Sequence, residues 1–208
     1  MIQMPEEFQP SKYIQMNLMS VVHEIGEDKT RNIISKFECP QNKDVQNFLY
    51  EKSIIFSKQS FSKTHLVFHV TKNTKDLVGY YTIAARTIRI KKQVLSNTAV
   101  RKLKANGAIF EDGHYVLWAP LIAQLGKNYA NNLNELISGD DLLQMAMNKV
   151  REVQYDIGGR IAYIECEDKP KLIKFYERNG FKVFDKRRLD KDETDINGCY
   201  LIQLYTIL

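Results

Sequence analysis

Residues 158–184 read GGRIAYIECEDKPKLIKFYERNGFKVF. Two glycines close whatever precedes them. Residues 161–166 are apolar and β-branched enough for a buried strand. A polar break runs to Pro170, which suits the first turn of a helix. Residues 171–179 then carry apolar side chains at helical spacing, Gly180 stops them, and a second strand starts at Phe181. Strand, short helix, glycine stop and returning strand is a compact α/β unit, and the rest of the chain is arranged around it.

Upstream, Leu18, Val21, Val22 and Ile25 sit at helical spacing, and Ile33, Ile34 and Phe37 continue it past Gly26. Asp44 is a candidate N-cap for a helix through about Lys58. Residues 64–70 and 77–90 read as two strands of a hairpin joined by TKNTKD, residues 71–76. Ser96 caps a short basic helix reaching Lys104, and Asn106–Gly107 and Asp112–Gly113 are turn signals. Residues 115–125 (YVLWAPLIAQL) are nearly all apolar, as in a strand covered on both faces. Ser138 to Asp141 opens a helix to about Tyr155, and residues 199–206 form a last strand. The expected class is α/β (α+β), a mixed central sheet with flanking helices. All 208 residues are expected to form a single domain. A polar N-terminus and helical lead-in occupy 1–43, and the core occupies 44–208; residues 1–15 are expected to be loosely held.

Composition narrows the function. No apolar run approaches the ~20 residues of a membrane span, and MIQMPEEFQP predicts no signal peptide. The cysteines, Cys39, Cys166 and Cys199, are three and widely spaced, which favours a reducing cytoplasm over disulfides or a zinc cluster. His65 and His69 share a strand face without the partners a metal site requires, so no metal is expected. His114 reads as a turn residue and His23 as helix surface. Net charge is only +5, but residues 77–110 contain no Asp or Glu and hold Arg86, Arg89, Lys91, Lys92, Arg101, Lys102 and Lys104. Such a run is either a solvated face or an attractor for phosphates.

The FYExxGF run of Phe175, Tyr176, Glu177, Gly180 and Phe181, within that order of elements, resembles the C-terminal half of the GNAT N-acetyltransferase superfamily. The resemblance covers about four fifths of the chain, from Asp44 onward. LVGYYTIA, residues 77–84, is similar to the third strand of toxin-like bacterial members. What this implies is acetyl transfer from acetyl-CoA to a primary amine by direct attack, with Tyr176 as general acid for the departing thiolate. Leu125, Gly126 and Lys127 would hold the pantetheine arm, with an oxyanion donor near Leu125 and Gly126.

The family's diphosphate loop falls on Asn134 to Gly139. There Ile137 stands where a glycine is usual, and Ser138, Gly139 and Asp140 open the helix. Asp168 is a further cofactor-side candidate. Glu165 is the candidate base, against a plain salt-bridge role shared with Glu167. Cys166, flanked by carboxylates, is a poor nucleophile. Trp118 reads as core. Tyr80 and Tyr81 point to opposite faces, one core and one free for a substrate cleft. The acceptor is a small molecule, a protein amine or an aminoacyl-tRNA. A non-catalytic binding module is the alternative, and a homodimer follows only by analogy.

Overall fold

The computed structural model describes residues 12–105, 107–190 and 198–208. The expected turn residue Asn106 and the first eleven residues lie outside them. The lead-in comprises β1 (Tyr13–Asn17), α1 (Leu18–Ile25), α2 (Glu27–Ile34), α3 (Lys43–Asn47), a π-helical turn (Phe48–Lys52) and α4 (Ser53–Lys58). Then come β2 (Lys63–Val70), β3 (Lys75–Lys91), α5 (Asn97–Ala105), β4 (Ile109–Glu111) and β5 (His114–Lys127). The last part holds α6 (Gly139–Ile157), β6 (Ile161–Glu167), α7 (Pro170–Arg178), β7 (Lys182–Arg188) and β8 (Tyr200–Ile207). One sheet runs in the order β1-β2-β3-β5-β6-β8-β7, with β4 added to β5. Only β5 and β6 are parallel neighbours.

Residues 13–15 are not loose: they open β1, which pairs antiparallel with β2 from Tyr13↔His69 to Asn17↔His65. Asp44 is not the helix cap either. Asn42 takes that place, its Oδ1 accepting from the Val45 N–H. A side chain two residues earlier reaches the free amides better than one already inside the first turn. Tyr80 and Tyr81 do point to opposite faces, yet both are fully buried, because helices cover the sheet on each side there. Trp118 is only half-buried, against the Gly159 backbone.

Three apolar clusters follow from strand alternation. On one face α6 and α7 pack Leu142, Ala146, Val150 and Tyr176 onto Tyr81, Ile83, Ile122 and Ile164. On the other, the lead-in helices cover Leu66, Phe68, Leu77 and Tyr80. Beside them, α5 sets Leu103 against Ile88, Ile90, Leu117 and Tyr163.

A register shift between Thr82 and Ile83 leaves Ala123 as the extra residue of β5, between Gln124 and Ile122. Such a bulge inverts the alternation beyond it. Gln124 therefore faces Asp44 on the lead-in side, at 2.9 Å. Gly126 permits the closest approach there, since a Cβ would lie 2.4 Å from Val45 Cγ1.

Candidate active site

The two parallel strands part company almost at once. β5 and β6 pair only at Leu121↔Tyr163 and Ile122↔Ile164. Beyond that, β5 continues to Lys127 and β6 to Glu167. The bulge at Ala123 sits at the point of divergence. Past it, the β5 edge towards β6 has no strand partner, while its other edge stays paired, Leu125 with Tyr81 and Gly126 with Tyr80. Backbone donors and acceptors on an open edge are free to bind an extended ligand arm. Leu125, Gly126 and Lys127, the residues expected to hold pantetheine, lie on this stretch.

Tyr176 shares an apolar cluster with Ile122 and Ile164, the last paired residues before the strands part. Pro170 starts α7, and Gly180, at φ 87°, turns the chain so that the Phe181 N–H returns to the Tyr176 carbonyl. The Tyr176 ring is 6% exposed and packs edge-on against Phe175 and Phe181, with centroids at 5.0 and 5.9 Å. Its hydroxyl makes no hydrogen bond among the described residues. Burial first, and the neighbouring Cys166 second, hold the phenol above its ordinary range. It stays protonated at any physiological pH. The Cys166 thiol is itself pushed up to about 12, by burial and then by Asp168 and Glu167, so it is a neutral wall of the site.

The loop from β5 to α6 closes one end of the gap. Lys127 Nζ donates to the carbonyls of Asn134 at 2.8 Å and Ile137 at 3.0 Å. Ile137 is buried and Ser138 caps α6, its Oγ accepting from the Asp141 N–H at 3.0 Å. Gly139 faces α7, since a Cβ there would lie 3.3 Å from the Phe175 ring. Asp140 ties the same two helices. It accepts from Asn179 Nδ2 at 2.7 Å and Arg178 at 2.6 Å, and these partners, Asn179 first, lower its pKa. Asp168 is exposed just past β6.

Glu165 is not brought to Tyr176. Alternation along β6 sends Ala162, Ile164 and Cys166 to the α7 side and Tyr163 and Glu165 to the other. There Arg187 grips Glu165 with three contacts of 2.6–2.8 Å. Tyr163 donates its hydroxyl to the same carboxylate and Gln203 adds a bond at 3.0 Å. Burial alone would raise the Glu165 pKa; the hydrogen bonds from Arg187, Tyr163 and Gln203 outweigh it and the net shift is downward. Glu167, also buried, is held by Lys169 at 2.8 Å and Asn42 at 3.2 Å. The salt-bridge role is what the geometry displays, with Arg187 as the main partner. Nothing local marks that partner, 22 residues away.

The acid-free run covers β3 from Leu77, then α5, and enters β4; its outer part, with the start of β5, forms an arm around the third apolar cluster. Its seven cations are all exposed. Arg89 pairs with Glu111 at 3.3 Å and Lys91 with Asp185 at 3.1 Å, while Lys92 lies over the Phe110 ring. Among the described residues no group of three or more His, Cys, Asp or Glu side chains is placed to hold a metal, and no helix is long and apolar enough to cross a membrane.

No family model and no curated protein matches this sequence. Solved structures do match its fold. A bacterial toxin superposes with a TM-score of 0.61 at 15% identity, over 94% of this chain and 90% of that one. AtaT, complexed with acetyl-methionyl-tRNAfMet, gives 0.60 at 15% identity, over 91% and 93%. A tyrosine-to-phenylalanine variant of KacT gives 0.60 at 16%, over 92% and 94%. Sheet order, the parted parallel strands and the flanking helices are thus those of the GNAT fold, in the form these toxin structures share.

Proposed function

We propose that the chain transfers an acetyl group from acetyl-CoA to a primary amine, and that the amine is the α-amino group of an aminoacyl-tRNA. The observation that carries this is the parting of β5 and β6 just past Ile122 and Ile164, which share an apolar cluster with a buried tyrosine whose hydroxyl has no hydrogen-bond partner among the described residues. AtaT, with the same fold, has been solved with acetyl-CoA and with an acetylated aminoacyl-tRNA. The thioester carbonyl lies along the open edge near Leu125 and Gly126, where the N–H that points away from β3 takes the developing oxyanion. The neutral amine attacks, the C–S bond breaks, Tyr176 gives its proton to the leaving sulfur, and the proton shed by the new amide nitrogen returns through water to the tyrosinate.

Glu165 is not needed as a base in this scheme. An α-amino group has a reference pKa of about 7.7–8.0 and is partly neutral at cellular pH, whereas a lysine at about 10.4 is not. Both carboxylates on β6, Glu165 and Glu167, are held in ion pairs, which suits an acceptor that is already partly neutral. The exposed cations of the β3–β5 arm supply attraction for the RNA backbone.

The test is calorimetry with acetyl-CoA, followed by transfer assays on charged tRNA and on lysine-type amines. Binding with transfer to charged tRNA supports the reading. Binding without transfer would favour a non-catalytic binder, and no binding would end the acetyl-CoA assignment. Lys91→Glu with Lys92→Glu should cut tRNA retention roughly tenfold and flatten its salt dependence. Equal retention would remove tRNA as the acceptor.

A further inference from the structure

The loop before α6 lacks the first glycine of its family pattern, yet its backbone is held by other means. Lys127 Nζ binds the Asn134 and Ile137 carbonyls. Between those two, the Leu136 carbonyl accepts from the Tyr13 hydroxyl at 2.5 Å, a contact spanning 123 residues. Tyr13 reaches the loop because β1 is paired onto β2, with its ring edge-on to His69 at 5.8 Å.

In a planar trans peptide the carbonyl of one residue and the N–H of the next point in opposite directions. Fixing the Leu136 carbonyl on Tyr13 therefore aims the Ile137 N–H away from Tyr13. Fixing the Ile137 carbonyl on Lys127 likewise aims the Ser138 N–H away from Lys127. Neither of these N–H groups, nor that of Gly139, has an acceptor among the described residues. The buried Ile137 side chain pins the segment from below.

We propose that Tyr13 and Lys127 are positioning residues for acetyl-CoA. From outside the loop they impose what glycines otherwise permit within it, a fixed row of N–H groups presented to the diphosphate at the start of α6. This rests on the acetyl-CoA reading above. It also gives β1 a role that the resemblance alone did not assign.

The experiment compares CoA with pantetheine, which carries the same arm without the diphosphate. Binding of both is measured by calorimetry to the wild type, to Tyr13→Phe and to Lys127→Met, with thermal midpoints recorded. Tyr13→Phe keeps the ring on His69 and removes the hydroxyl that holds the Leu136 carbonyl. CoA should then bind about fivefold more weakly while pantetheine is unchanged. Lys127→Met, which frees two carbonyls but leaves the strand backbone expected to face pantetheine in place, should weaken CoA by more, and again more than pantetheine. Unaltered CoA affinity in Tyr13→Phe overturns the proposal, as does an equal loss for CoA and pantetheine, which would mean a generally loosened fold. Absence of CoA binding by the wild type would instead bring down the acetyl-CoA reading, and this inference with it.

Discussion

The two sides of β6 treat their polar groups in opposite ways. On the α7 side, Tyr176 is buried among Phe175, Phe181 and Cys166, and its hydroxyl has no partner among the described residues. On the other side, Glu165 is saturated by Arg187, Tyr163 and Gln203. These residues are eleven apart in sequence and attached to adjacent elements, yet one is left open and the other is locked. A hydroxyl kept from protein partners is available to a ligand. A carboxylate with its lone pairs taken and its pKa lowered is a structural anion. The difference separates a reactive group from a scaffold group more surely than residue type does.

The largest effect should come from Tyr176→Phe. It retains the ring contacts and loses only the hydroxyl, so folding should be unaffected while transfer falls about 10²–10⁴-fold. Acetyl-CoA affinity, read by calorimetry, should stay within about twofold. A variant that still turns over at the wild-type rate would erase the contrast, because Tyr176 would then be one more core aromatic.

Next is Arg187→Met, aimed at the locked side. It strands the Glu165 carboxylate, whose side chain is only 12% exposed, and breaking a buried pair costs up to about 3–5 kcal/mol. The Arg187 side chain is 27% exposed, so the lower end is expected. Denaturant unfolding measures it. Adding Glu165→Gln should restore part of the loss, since the stranded charge is gone. Glu165→Gln alone should spare most of the transfer rate. If it abolishes transfer with the fold intact, Glu165 is the base after all and the two faces share the chemistry.

How much of this contrast could be read from the sequence depends on how local each signal is. Residues 170–181 are one helix and one turn, so proline, apolar spacing and glycine marked them, and Tyr176 stood out by its place between Phe175 and Gly180. Glu165 was visible as a candidate, but its role was not. That is set by Arg187 on β7 and Gln203 on β8, which meet it only through the register of β6, β8 and β7. β1 was missed because YIQMN is short, polar at alternate positions and stable only when paired to β2. The bulge at Ala123 leaves no mark in an apolar run. It nonetheless decides that Gln124 faces Asp44 rather than Tyr176.

The smallest effect concerns pH, and it tests whether the α6 and α7 face is as water-poor as the Tyr176 shift implies. His65 on that face stacks on Tyr81 with centroids at 5.0 Å and planes 13° apart. Burial, and secondarily Lys149, lower its pKa from 6.5 to about 4, against a weaker opposing pull from Glu152. The folded pKa is below the unfolded one, so the unfolded chain binds the proton more readily between these values. The stability tied to a neutral His65 is thus complete above pH 6.5 and is lost as pH falls towards 4, by about 3 kcal/mol in all. Glu165, with its lowered pKa, acts in a lower window, its contribution present above about pH 4.5 and lost below it. His65→Phe keeps a ring on Tyr81 and removes the titration. Its unfolding free energy should be nearly flat from pH 6.5 to 4.5 while the acid limb below remains. If the wild type is already flat across that interval, water reaches His65, and the dryness ascribed to the Tyr176 face does not extend along the sheet to β2.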